Sequence, residues 1–183
     1  MHAKLVLHCQ QLEDSRPFAR YLIASRCGAR PQQIREVTAA DVNREYTQWH
    51  FKKHKTRNKT GKPLTVYLPP CLQTLTKILV AARPNGPLFL NARGGIWKSD
   101  TVTQRMERLR KRLNLPDGTV AYLYRHAMAT DALLAGVDLP VLAQMLGHTD
   151  TRMISKVYGH LVKHPGHIAD AVAKMASDRI KPR

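Results

Sequence analysis

Apolar residues recur along this chain with two different periods, and the changes of period mark out its elements. Pro17 to Cys27 has the helical period, with Phe18, Leu22 and Ser25 on one face and Tyr21 beside them. Gly28 ends it, because glycine enters the left-handed region without steric cost. Pro31 can open the next helix, since a first helical turn has no use for the N–H that proline lacks. Arg30 is thereby fixed on the turn between two helices.

The period then shortens. Tyr46 to Lys53 is rich in strand formers (Tyr46, Thr47, Trp49, Phe51), and Leu64 to Leu68 is a second such run closed by Pro69 and Pro70. The basic, turn-rich stretch between them predicts a β-hairpin with a lysine-loaded tip. Thr38 to Val42 leads into this small sheet, and Gly86 to Leu90 is a short extended segment.

Helical spacing returns at Pro70 to Ala82, whose stripe is Leu72, Leu75, Ile78 and Leu79. A helix capped by Ser99 or Asp100 runs to Leu113 with Val102, Met106, Leu109 and Leu113 on its apolar side. Thr119 to Ala135 forms a further helix ended by Gly136, and Asp138 caps the next, which stops at Gly147. A helix from Thr149 or Asp150 carries Tyr158, and His167 to Met175 is a last short amphipathic one. The fold class is mainly α with a small antiparallel sheet.

Charge narrows the function. Thirty Lys and Arg against thirteen Asp and Glu give a net +17, which in a chain that is 43% hydrophobic points to a polyanionic partner, nucleic acid first. From Tyr46 to Ser99 no acidic residue occurs, while Lys52, Lys53, Lys55, Arg57, Lys59, Lys62, Lys77, Arg83, Arg93 and Lys98 do. Solvated faces usually mix signs, so this span is read as a phosphate-facing surface. Arg105, Arg108, Arg110, Lys111 and Arg112 add a second basic face. No apolar run approaches the roughly 18–20 residues of a membrane span, and no basic amphipathic helix has a bulky aromatic face. Cys9, Cys27 and Cys71 are odd in number and far apart, which fits reduced thiols and a cytoplasmic, DNA-associated protein.

The last third concentrates the chemistry. Arg125 and His126 open an Ala/Leu-rich helix; Leu146-Gly147-His148 closes the next; Tyr158-Gly159-His160 follows. With the Gly28-Ala29-Arg30 turn and the lysine hairpin before them, these motifs closely resemble the tyrosine recombinase (phage integrase) family in order and spacing. Each is weak alone, and five in order are specific. The resemblance covers Pro17 to about Met175.

What the resemblance implies is a catalytic domain that cleaves and rejoins DNA through a 3′-phosphotyrosine. Arg30 and Arg125 would hold the phosphate, His148 would donate to it, Tyr158 would attack it, and Lys55 would protonate the leaving 5′-oxygen. Lys59 is the alternative lysine; Lys55 is preferred because it sits at the strand end. Tyr122 stands where the family has histidine in its His-x-x-Arg pattern, and Gln33 where it usually has glutamate. Tyr122 and Tyr124 precede Arg125, so the family order favours Tyr158 as nucleophile. Two guanidinium forks suit the two non-bridging oxygens of a phosphodiester and stay charged near neutral pH. No metal and no cofactor is implied. His160, His164 and His167 have a spacing that suggests zinc, but no Cys, and no Glu after Glu107, supports it. Lys52, Lys53, Arg57, Lys62, Arg105, Arg108 and Arg112 are the candidate DNA contacts.

Residues 1–183 read as one catalytic domain, with no room for the N-terminal core-binding domain that the family carries. Residues 166–183 form a tail whose helix would dock on a neighbouring protomer, giving a monomer when free and a tetrameric synapse on double-stranded DNA. Two rivals remain: a non-catalytic helix-turn-helix module built on residues Ala129 to Gly147, and a type IB topoisomerase-like strand transferase.

Overall fold

The computed structural model describes residues 2–52, 64–148, 151–152 and 155–157. The chain divides into two compact units, Met1–Ala127 and Met128–Arg183.

The first unit opens with α1 (His2–Gln11), a 3-10 turn (Glu13–Ser15) and α2 (Arg16–Ser25), followed by α3 (Pro31–Glu36). The pattern along the chain did not predict α1, yet α1 packs on α2 and buries Cys9 completely. On α2, Phe18, Tyr21 and Leu22 are fully buried, as their spacing predicts. Phe18 and Tyr21 stack at 5.8 Å between centroids, and Trp97 closes on them at 5.2 and 6.0 Å. Burying each such side chain contributes about 1.5–3 kcal/mol.

The hairpin pairs β1 (Gln48–Phe51) with β2 (Leu64–Tyr67) antiparallel, Trp49 opposite Val66 and Phe51 opposite Leu64. Those four face the core, and Trp49 meets Phe89 edge to face at 5.8 Å. Tyr46 is not in the strand. Its φ of +59° puts it in a turn, where the Asn43 side-chain oxygen accepts the N–H groups of Thr47 and Gln48 at 2.8 and 2.9 Å. A single bridge joins Val42 to Trp49 beside the sheet, and another joins Thr38 to Pro87. Asp41 accepts both the N–H and the hydroxyl of Thr38, at 2.9 and 2.6 Å, and so fixes the entry to that sheet.

Helix α4 (Pro70–Ala82) has the predicted bounds, but its buried stripe is Leu72, Thr76 and Leu79. Ile78 is 57% exposed. At 100° per residue it lies about 120° from Leu72, off the face that Leu72, Thr76 and Leu79 share. Helix α5 (Ser99–Arg112) buries Val102, Met106 and Leu109. Lys98 is its N-cap residue and no side chain caps it, so neither Ser99 nor Asp100 does the work assigned to it.

Helix α6 (Leu123–Leu134) starts four residues later than the apolar pattern suggests. The chain enters it through a turn at 121–122 whose i to i+3 bonds run from Leu123 N–H to Val120 and from Arg125 N–H to Tyr122. In the second unit, Ala129, Leu133, Leu142, Ala143 and Leu146 form a separate core with Val137 and Leu139 against it. Gly136 turns the chain at φ +83°. Asp138 occupies the N-cap of α7 (Leu139–Leu146) but makes no side-chain cap bond; Pro140, in the first turn, has no N–H to offer it. Among the described residues, no helix is long and apolar enough to cross a membrane.

Candidate active site

The turn that carries Arg30 is held from three sides. Arg26 and Cys27 donate their N–H groups to Ile23 and Ala24 at 3.2 Å each, which winds down α2. Gly28 then reverses the chain at φ +79°, a conformation costly for a residue with a Cβ. Arg30 follows in extended conformation (φ −67°, ψ 147°) as N-cap of α3. Its N–H donates to Gln33 Oε1 at 2.7 Å. The Tyr21 hydroxyl donates to the Pro31 carbonyl at 3.2 Å, tying the start of α3 to the Phe18–Trp97 cluster. Gln33 is 7% exposed and therefore acts as a buried cap. Capping needs an acceptor oxygen and no charge, so glutamine suffices where the resembling pattern has glutamate. A Gln three residues past an N-cap is the sequence signal for this role.

Arg125, on α6, comes to the same turn. It is 4% exposed, and its Nη1 donates to the Gly28 carbonyl, a bond between residues 97 apart in sequence. The first unit thus brings Arg125 onto a main-chain atom two residues from Arg30. Beneath them lies Cys27. Burial pushes its thiol up to about 12, against the pull of backbone N–H donation and of the Arg125 charge. A protonated thiol cannot compete as a nucleophile.

Two tyrosines flank the start of α6 and differ sharply. Tyr124 is 4% exposed; burial, with Cys9 adding to it and Arg26 opposing, pushes its phenol well above its ordinary value. Tyr122 is 45% exposed, and its ring meets that of His126 edge to face, centroids 5.0 Å apart.

In the second unit, His148 follows Gly147, which is left-handed at φ +63°. The His148 N–H donates to Ala143 at 2.9 Å, closing α7 with a Schellman-like turn and fixing the histidine backbone. Ser155 to Val157 are helical, so the residue before Tyr158 lies on a helix. Tyr158 itself, Lys55, Lys59, Lys53, Arg57 and Lys62 lie outside the described residues, as do the tail 166–183 and the histidines His160, His164 and His167. Among the described residues, no three His, Cys, Asp or Glu side chains converge as metal ligands. Lys52, at the end of β1, is exposed.

The basic face of α5 is less open than its sequence suggests. Arg105 turns inward: it donates to the Asp14 carbonyl and to Ser15 Oγ, both at 3.3 Å, and lies over the Trp97 ring at 5.8 Å. Lys111 pairs with Glu107 at 3.1 Å, and Arg110 pairs with Asp117. Arg108 and Arg112 are exposed, and together with Arg105, Ser15 and Phe18 they line a shallow cleft.

The profile of the Phage integrase family matches residues 4–164. The chain belongs to the phage integrase family. Tyrosine recombinase XerC of Rhizobium meliloti (strain 1021) is 29% identical over 127 residues, 67% of this chain and 38% of that protein. The chain therefore spans about two-fifths of that relative's length. Among solved structures, the Tn1549 transposon integrase in complex with transposon right end DNA superposes with a TM-score of 0.74 at 14% identity, covering 95% of this chain and 63% of that one. The catalytic domain of bacteriophage HP1 integrase gives 0.65 at 23% identity, covering 94% and 89%. At such identities these two show the shared fold: a mainly helical integrase domain with a two-stranded antiparallel sheet.

Proposed function

We propose that this phage integrase family member is the catalytic part of a site-specific recombinase that cleaves and rejoins double-stranded DNA through a 3′-phosphotyrosine. The observation that carries the proposal is the bond from Arg125 to the Gly28 carbonyl, which joins two guanidinium-bearing segments at one turn. A phosphodiester seated on Arg30 and Arg125 has its two non-bridging oxygens matched by planar donors that keep their charge. These donors stabilise the extra negative charge of the pentacoordinate state.

Tyr158 is the nucleophile in this reading. Its phenolic proton passes to water, its oxygen bonds to phosphorus, the bond from phosphorus to the 5′-oxygen breaks, and a lysine gives that oxygen its proton. Lys55 is the preferred donor and Lys59 the alternative. His148 adds a hydrogen bond to the phosphate. The ester linkage is conserved, so attack by a second 5′-hydroxyl reverses the step without a nucleotide cofactor. Tyr122 can donate to a phosphate oxygen. Lys52, Arg108 and Arg112 contact backbone phosphates, with Lys53, Arg57 and Lys62 in the hairpin. Arg105, engaged with Asp14 and Ser15, contributes through the shape of the cleft. The chain is a monomer when free and assembles as a tetramer on DNA, with the segment 166–183 docking on a neighbour.

The test uses a library of nicked duplexes of random sequence. A nick beside the cleavage point lets the cut fragment diffuse away, so religation is blocked and adduct accumulates. Recovered adducts identify the preferred duplex. A denaturation-resistant bond between the protein and a DNA 3′ end is the expected result; binding without any adduct would favour a module that only binds DNA.

A further inference from the structure

Tyr122 lies three residues before Arg125, at the position where the family pattern has histidine, and it is accessible at the surface. A tyrosine hydroxyl has one hydrogen to give to a phosphate oxygen. That donation is useful only if the ring is held, because an exposed tyrosine samples several χ1 wells. The main chain is held already: the Tyr122 carbonyl accepts the Arg125 N–H at 3.1 Å, and Arg125 is anchored on Gly28. What holds the side chain is His126. Its ring meets that of Tyr122 with centroids 5.0 Å apart and planes at 74°, the edge-to-face geometry that aromatic pairs prefer. The two residues are four apart across the start of α6, a spacing that lets their rings meet.

We infer that His126 is a positioning residue for Tyr122: its ring fixes the tyrosine ring so that the hydroxyl donates to the phosphate bound by Arg125. The inference rests on the strand-transfer reading given above. The contact depends on ring shape, so phenylalanine can stand in for histidine and an aliphatic side chain cannot.

The experiment measures single-turnover adduct formation at saturating DNA, on the nicked duplex selected from the random library, with DNA affinity measured in parallel. Tyr122→Phe should slow adduct formation on the order of tenfold to a hundredfold, by loss of one phosphate donor, with affinity unchanged. His126→Leu should slow it roughly three- to tenfold, the scale of one aromatic pair, while His126→Phe stays within about twofold of the wild type. The double variant Tyr122→Phe/His126→Leu should be no slower than Tyr122→Phe, because without the hydroxyl there is nothing left to position. His126→Met serves the same comparison where His126→Leu does not fold. Additive slowing in the double variant, or His126→Phe as slow as His126→Leu, would overturn the inference while leaving strand transfer intact. Absence of adduct from the wild type would overturn the strand-transfer reading and this inference with it.

Discussion

The Arg125 guanidinium donates to the Gly28 carbonyl, so the helix that bears the second arginine is tied to the glycine turn that bears the first. Residue type matters at both ends of this bond. Arg125 is buried, and a buried cation needs good acceptors. Gly28 sits at positive φ, which directs its carbonyl in a way that a Cβ-bearing residue adopts only under strain.

Arg125→Lys therefore should cost more than a fork on the phosphate. Lysine offers a point charge in place of a planar donor set, and the Gly28 carbonyl loses its partner. Urea unfolding should show a loss of about 1–3 kcal/mol, the scale of an unpaired buried acceptor. Adduct formation should fall by about a hundredfold or more. A Lys variant as stable as the wild type would mean that the bond does not hold the turn.

Gln33 separates capping from charge. Gln33→Glu keeps an acceptor oxygen for the Arg30 N–H and should keep stability within about 0.5 kcal/mol. Gln33→Leu removes the acceptor and should cost about 1–2 kcal/mol, with slower cleavage because Arg30 loses its fixed main chain. Thermal unfolding of the two variants decides between them. A stable Leu variant would argue against the cap.

Much of this was legible in the sequence because the signals are local. Gly28, Arg30 and Pro31 announce a turn between helices; Trp49 and Phe51 alternate as a strand should; Leu146-Gly147-His148 ends a helix at a left-handed glycine. Contacts between distant residues were not legible. Nothing near Arg125 says that it bonds Gly28, and nothing near Arg105 says that it turns toward Asp14 and Ser15. Helix α1 was missed because two histidines and Lys4 interrupt its apolar pattern, leaving packing on α2 to decide its state. Ile78 and Tyr46 misled for a related reason. An apolar side chain was taken to be buried and an aromatic one to be in a strand, where helix phase and the Asn43 turn decide otherwise.

Salt dependence sorts the basic residues. Duplex affinity should fall linearly on a log–log plot against salt. Arg108→Gln and Arg112→Gln should each reduce the slope by about one, as expected of a phosphate contact. Arg105→Gln should leave the slope nearly unchanged and lower the melting temperature, because its donors serve Asp14 and Ser15. An equal slope change for all three would place Arg105 on the DNA.

Alkaline titration probes the packing under the site. Burial pushes the Tyr21 phenol from 10.0 up to about 12, with the Arg35 charge opposing. A raised folded-state value means that the contribution is whole below the unfolded value and is lost as pH climbs through the folded one. Stability should thus fall between about pH 10 and 12. Tyr21→Phe should be about 1 kcal/mol less stable at neutral pH, for want of the bond to Pro31, and should show a shallower alkaline decline. Identical pH curves for the two proteins would contradict the burial of that hydroxyl.

The most direct test of the account is the identity of the residue joined to DNA. Adduct trapped on the selected nicked duplex is digested with protease and nuclease, and the modified peptide is sequenced by mass spectrometry. The account predicts a nucleotide 3′-phosphate on Tyr158, no adduct from Tyr158→Phe at nearly unchanged DNA affinity, and normal adduct from Tyr124→Phe, whose phenol is buried. A nucleotide on Tyr122, or adduct that persists in Tyr158→Phe, would contradict it.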